Sequence, residues 1–136
     1  MDIIKVSITG LPAFAIYFAV CIAMVVAFVF IYIRITPYHE IALIREGNTA
    51  AAASLGGALL GFVIPLARSV TQSANLADMV LWGAIALVVQ LVVYWIVTRV
   101  IPGLHDGIPQ NKVAHGTFLG AVSLASGILN AACMTS

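Results

Sequence analysis

Residues 48–66 read NTAAAASLGGALLGFVIPL. The stretch carries no charge and is crowded with small side chains. Ala53, Gly57 and Gly61 recur at intervals of four, so on a helix they form one smooth stripe. In a membrane such a stripe lets a second helix backbone approach closely. The chain then uses the device again. With a shift of 64 positions, Ala50, Leu55, Gly56 and Leu60 coincide with Ala114, Leu119, Gly120 and Leu124. The later segment has its own stripe in Gly116, Gly120, Ser123 and Gly127. The chain therefore reads as two copies of one helical hairpin, each ending in a small-residue helix.

Composition places this architecture in a bilayer. Of 136 residues, 62% are hydrophobic and 8% are charged, and the mean hydropathy is +1.12. A soluble domain carries about 25% charged residues. So short a chain with so few charges cannot cover a water-facing surface, which makes lipid its solvent. The net charge of +1 gives no electrostatic case for a nucleic-acid partner. Cys21 and Cys133 both lie in apolar segments and read as small buried hydrophobes, not as a disulfide framework.

Working outward from residue 48 gives four spans. The first is 11–33, long enough for the ~20 residues a bilayer core requires. It exceeds a signal-peptide core of about 7–15 residues and ends at Arg34 without a small-residue cleavage site, so it reads as a retained transmembrane helix. Pro12 fits its first turn, where a missing N–H costs nothing. Phe14 and Tyr17 near one end, and Tyr32 and Tyr38 near the other, form interfacial belts. A polar loop follows, then a second helix over 49–67, in which Pro65 kinks or ends the last turn. The outer turn, 68–78, offers an Arg68–Asp78 pair. The third helix covers 79–98, a Pro- and Gly-rich loop spans 99–110, and the fourth helix covers 113–134.

The repeat reaches into the loops, where a shift of 65 aligns Arg34 with Arg99 and Pro37 with Pro102. The fold expected is an all-α integral membrane protein with four transmembrane helices arranged as two tandem, parallel helical hairpins. It is one membrane domain, 1–136, with repeat one over 11–67 and repeat two over 79–134. Because each copy crosses twice, the copies run in the same sense about an axis along the membrane normal. The two hairpin loops carry Arg34, Arg45, Arg99 and Lys112, against Lys5 and Arg68 on the other side. Four against two puts the loops in the cytoplasm and both termini outside.

The chemistry is sparse. No Asp, Glu, Lys or Arg falls in the middle of a span. A proton-driven pump needs an ionisable relay, and an intramembrane hydrolase needs an acid, a base or a metal ligand. Gln90 is the large polar side chain at mid-depth, and Asn130 lies in the outer third of helix four. Each reads first as a hydrogen bond between helices and second as a pore-lining group. His39, His105 and His115 match no metal-site spacing and read as loop residues; whether they bind metal is left open by the sequence. Ser54, Ser69, Ser123 and Ser126 have no partnered base, and no phosphate-binding loop is present. No catalytic residue, metal site or cofactor is expected.

The motifs Thr36-Pro37 with Glu40, Asn48-Thr49-Ala50-Ala51, Gly57 with Leu59-Leu60-Gly61, and Ile64-Pro65-Leu66 resemble a known family. So do Trp82-Gly83, Ile85-Ala86-Leu87-Val88, Gln90-Leu91 and Asn130-Ala131-Ala132-Cys133-Met134-Thr135. The chain is similar to small bacterial inner-membrane proteins catalogued as domain of unknown function 350. The resemblance implies a four-helix protein of the bacterial inner membrane, built from a duplicated hairpin and without an established activity. It also implies gene neighbourhoods of envelope stress that include a phage-shock-like peripheral protein, hence a cytoplasmic partner. The family tends to have Asn at the start of both small-residue helices; here the second place is Lys112.

The function expected is a non-enzymatic membrane component that docks a cytoplasmic partner in envelope maintenance or stress, with a homo-oligomer as its form. Its small-residue stripes serve packing within or between chains. Its cytoplasmic-face contacts are Glu40, Asn48, Asp106 and Lys112, where the starts of helices two and four, together with Lys112, would receive an acidic group of a partner or a lipid. The alternative is an oligomeric channel or small-solute transporter with Gln90 and Asn130 on the path.

Overall fold

The computed structural model describes residues 2–134, and the side chains of Asp2 and His105 are outside that description. Thr135, the last residue of the terminal motif, also lies outside it. Every regular element in the described residues is helical: α1 (Asp2–Ile35), α2 (Glu40–Arg45), α3 (Thr49–Gln72), α4 (Leu76–Val100), a 3-10 turn (His105–Gly107) and α5 (Val113–Cys133). Four of these, α1, α3, α4 and α5, are long and apolar enough to cross a membrane.

The central contact is the seam between α3 and α5, and glycine is why it is close. A methyl group on Gly57 would run into the backbone of Gly120, one on Gly120 into the carbonyl of Ala53, and one on Gly116 into the backbone of Ala50. Gly61 meets the Ser123 carbonyl, and Gly127 meets the carbonyl of Gly61. Gly56, one residue off the stripe, faces open space. The seam therefore uses Ala53, Gly57 and Gly61 on one helix against Gly116, Gly120 and Gly127 on the other.

α4 closes the seam with one side chain. Gln90 is 1% exposed, and its amide Nε2 donates to the carbonyls of Gly61 and Ser123, each at 3.1 Å. The Gly61 carbonyl is the one that residue 65 would bond in a regular helix, and residue 65 is a proline without an N–H. Gln90 thus supplies, from a neighbouring helix, the donor that Pro65 cannot. This is how a membrane helix tolerates an interior proline: freed backbone groups are satisfied by neighbours. It also corrects the expectation for Pro65, because α3 continues through it and through Arg68 to Gln72.

α1 differs most from the sequence reading. It begins at Asp2, not near residue 11, so Pro12 sits well inside it. Ser7 and Thr9 return their hydroxyls to the carbonyls of Ile3 and Lys5, four residues back. That satisfies the short polar residues without breaking the helix. At ~1.5 Å per residue, 34 residues span roughly 51 Å, well beyond a ~30 Å hydrocarbon core. Only the loop-side half packs tightly. There the Phe28 ring stacks on Phe62 with centroids 4.7 Å apart, Tyr32 meets Tyr94 edge-on at 5.4 Å, and Met24 covers Gly83. The other half leaves Phe14 and Phe18 more than half exposed, beside a groove of about 730 Å³ against α3.

The turn between α3 and α4 is set by capping. Asn75 Oδ1 accepts the Asp78 N–H at 2.9 Å, and Asp78 Oδ2 accepts the Ala74 N–H at 3.2 Å. The Asp78 carboxylate is therefore a cap. No Arg68–Asp78 ion pair is found in the described residues.

Candidate functional site

The two hairpin loops lie on the same side and are tied together by asparagines. Asn48 is the N-cap of α3; its Oδ1 accepts the Ala51 N–H at 2.8 Å. Its Nδ2 reaches across to the second loop and donates to the Ile108 carbonyl at 2.9 Å, with the Pro109 carbonyl at 3.4 Å. Asn111 answers from that loop: its Oδ1 accepts the Ala50 N–H at 3.1 Å. Asn111 holds this position with φ 57°, in the left-handed region that asparagine tolerates better than most residues. Gly47, at φ 88°, ends α2 so that the chain can turn into the Asn48 cap. Ile108 is fully buried beneath these bonds, and His115 Nδ1 lies 3.1 Å from the Leu104 carbonyl with its ring over Gly107.

Beside this joint the first loop folds inward. Thr36 and Tyr38 are buried, and α2 begins with Glu40, which is 1% exposed. Thr36 Oγ1 donates to Glu40 Oε1 at 2.7 Å. A recess of about 530 Å³ borders the group, lined by residues that include Arg34, Pro37, His39 and Glu40. Burial pushes the Glu40 carboxyl up to about 7, against a smaller opposing effect of the Thr36 hydroxyl. Burial likewise raises the Tyr38 phenol.

These elements can be set beside known proteins. A family model described as Domain of Unknown Function (DUF350) matches residues 6–134. The chain belongs to the DUF350 family. It is 46% identical over 126 residues to the UPF0719 inner membrane protein YjfL of Escherichia coli (strain K12), covering 93% of this chain and 96% of the relative. A protein of the same name from Escherichia coli O157:H7 matches equally well. The UPF0719 transmembrane protein YshE of Bacillus subtilis (strain 168) is 32% identical over 82 residues, covering 60% of this chain and 61% of that one. No solved structure matches the chain. With four spanning helices, this DUF350 member is a multi-pass membrane protein, and its relatives in Escherichia coli are named as inner membrane proteins.

Within this DUF350 chain, the residues singled out from sequence fall into three places. Asn48 stands at the joint between the loops. Lys112 and Asp106 are exposed on the second loop, where Lys112 is the N-cap residue of α5 without a side-chain cap bond. Glu40 is not on the surface at all; it is in the buried cluster. The start of α3 is also not a free anion receptor, because Asn48 and Asn111 accept its Ala51 and Ala50 N–H groups. Gln90 bonds backbone carbonyls. Asn130 is half-buried, and its Nδ2 is enclosed without a hydrogen-bond partner.

Asn111 and the Pro65–Gln90 relation were missed. Both had a signal. Asn111 stands immediately before Lys112, at the start of the second small-residue helix, where asparagine is a natural cap and loop residue. A proline in an apolar helix frees a known carbonyl, and Gln90 was the large polar side chain at that depth. In the described residues no three of His, Cys, Asp and Glu come together as metal ligands.

Proposed function

We propose that this DUF350 member is a non-enzymatic membrane component whose two loops dock a cytoplasmic partner. The observation that carries the reading is the reciprocal bonding of the loops through Asn48 and Asn111, which makes one rigid, preorganised platform of two connections. Arg45, Glu46, Asp106 and Lys112 are exposed on it. Rigidity lowers the ordering cost of binding. In this proposal the loops face the cytoplasm and both termini the periplasm, in line with the excess of Lys and Arg on the loop side. The chain is a duplicated hairpin, and the open half of α1 is where copies associate as a homo-oligomer. The transporter reading is weaker, because the Gln90 amide is engaged on two backbone carbonyls.

Site-specific photocrosslinking in intact cells tests this. A photoreactive residue at Lys112 and another at Glu46 should each give a discrete adduct with the same soluble protein. Lys112→Gln should weaken that adduct's yield from Glu46 in a salt-sensitive manner. A membrane-impermeant thiol reagent on the same cells should label Cys133, which is exposed at the end of α5. The reading fails if neither loop position yields a protein adduct, or if Cys133 reacts only once the inner membrane is opened.

A further inference from the structure

Glu40 is the most deeply placed charge-bearing group in the loops, and the docking platform does not use it. Its Oε1 accepts the Thr36 hydroxyl, while its Oε2 is enclosed with no hydrogen-bond partner. Three hydroxyls are enclosed near it, those of Tyr32, Tyr38 and Ser54, with Ser54 as the neighbour that the two phenols share. Tyr32 and Tyr38 are both close enough to feel the Glu40 charge. A carboxyl oxygen so enclosed and without a donor among the described residues is uncommon, since buried polar groups in native proteins are satisfied in the great majority of cases.

Among the described residues the surroundings offer no counter-charge of their own. Arg34 lines the adjoining recess but holds its guanidinium over the Phe30 ring, 4.7 Å from the centroid. Among the described side chains, the titratable and charged groups around Glu40 are Tyr32 from α1, Arg34 at the recess wall, Tyr38 and His39 from the connecting segment, and Tyr94 from α4. Asp106 of the second loop bears on Tyr94, and α3 contributes Ser54, which does not titrate in this range. A carboxylate buried among phenols and hydroxyls must be neutralised. One carboxylate calls for one positive charge, and an all-oxygen set suits a hard ion or a proton.

We propose that Glu40, with Thr36, Tyr32, Tyr38 and Ser54, forms a binding site for one small monovalent cation, a proton or an alkali metal ion, taken from the water on the loop side. The recess lined by Pro37 and His39 is its route of entry. The site stands whether or not the loops dock a partner. When it is filled the cluster is neutral and the first loop is held against α1, α3 and α4; when it is empty a bare carboxylate is left in the cluster, and that loop is loosened.

The test is a titration of the intact protein in detergent, followed by infrared spectroscopy of the carboxyl carbonyl band. It is run in choline chloride, sodium chloride and potassium chloride at equal ionic strength. Thermal unfolding is measured on the same samples, with Glu40→Gln alongside. In choline chloride one carboxyl band should titrate near about pH 7, where burial places the group, and Glu40→Gln should lack it. The sign follows from a folded-state value raised above the unfolded one. The Glu40 contribution to stability is full at acid pH, is lost as pH rises through about 7, and is absent from the variant. If the occupant is an alkali ion, sodium or potassium will lower the band's midpoint and restore stability at alkaline pH. If it is a proton, the three salts will agree. The proposal is overturned if every carboxyl of the wild type titrates in the ordinary carboxylate range in all three salts. The infrared arm reads the native chain, so it decides even if Glu40→Gln fails to fold.

Discussion

At the residue scale, Asn48 shows how much one side chain can settle. Its position before a run of small apolar residues is a cap signal, and the structure uses it as one. What the sequence did not disclose is the second half of the amide, because the bond from Nδ2 to Ile108 spans 60 residues and depends on how the loops fold. The same limit applied to Glu40. In a polar loop it reads as solvated, and only the inward fold of Thr36 and Tyr38 reveals that it is buried. Asn48→Ala should therefore cost more than a cap alone. Loss of the cap is worth ~1 kcal/mol, and a lost cross-loop bond adds about as much again. Asn48→Asp keeps the acceptor and removes the donor, so it isolates the cross-loop share. Chemical or thermal unfolding in detergent should rank wild type above Asn48→Asp and Asn48→Asp above Asn48→Ala; equal stability of Asp and Ala would show that the cap bond contributes nothing.

At the element scale, the helices were legible where their causes are local. The stripe spacing in residues 48–66 and again in 113–134 marks the faces that α3 and α5 turn to each other. The ends were less legible. α1 runs nine residues further back than the expected start at residue 11, since Ser7 and Thr9 can bond their own helix and nothing in residues 2–10 stops it. α3 passes through Pro65 because the remedy lies on another helix. α2 was hidden in a loop, being only six residues long. The seam makes a sharp prediction. Gly57→Leu and Gly120→Leu each drive a side chain into backbone, not into a flexible neighbour, and should cost at least the ~1–3 kcal/mol typical of overpacking. Gly56→Leu meets open space and is the internal control. Folded yield and melting in detergent should fall for the first two and hold for the third; equal behaviour of all three would mean that the seam is not where the stripe places it.

At the scale of the whole molecule, the bundle is one packed seam of two helices, a third helix that locks it through Gln90, and a first helix attached by half its length. The membrane class and the four spans could be read from composition and hydropathy alone, because apolar length is a local property. The lock could not be read in the same way, although its parts were visible: a proline, a carbonyl four residues before it, and a lone amide at mid-depth on another span. The central claim is that Gln90 stands in for the N–H that Pro65 lacks. A double-mutant cycle tests it most directly, with stability in detergent measured for wild type, Gln90→Leu, Pro65→Ala and the double variant. In the wild-type background Gln90→Leu orphans the Gly61 carbonyl and should cost ~1–3 kcal/mol. In the Pro65→Ala background the new N–H reaches that carbonyl, so the same change should cost less, by about 0.6 kcal/mol or more. Strict additivity, with the two costs equal within ~0.3 kcal/mol, would contradict the account.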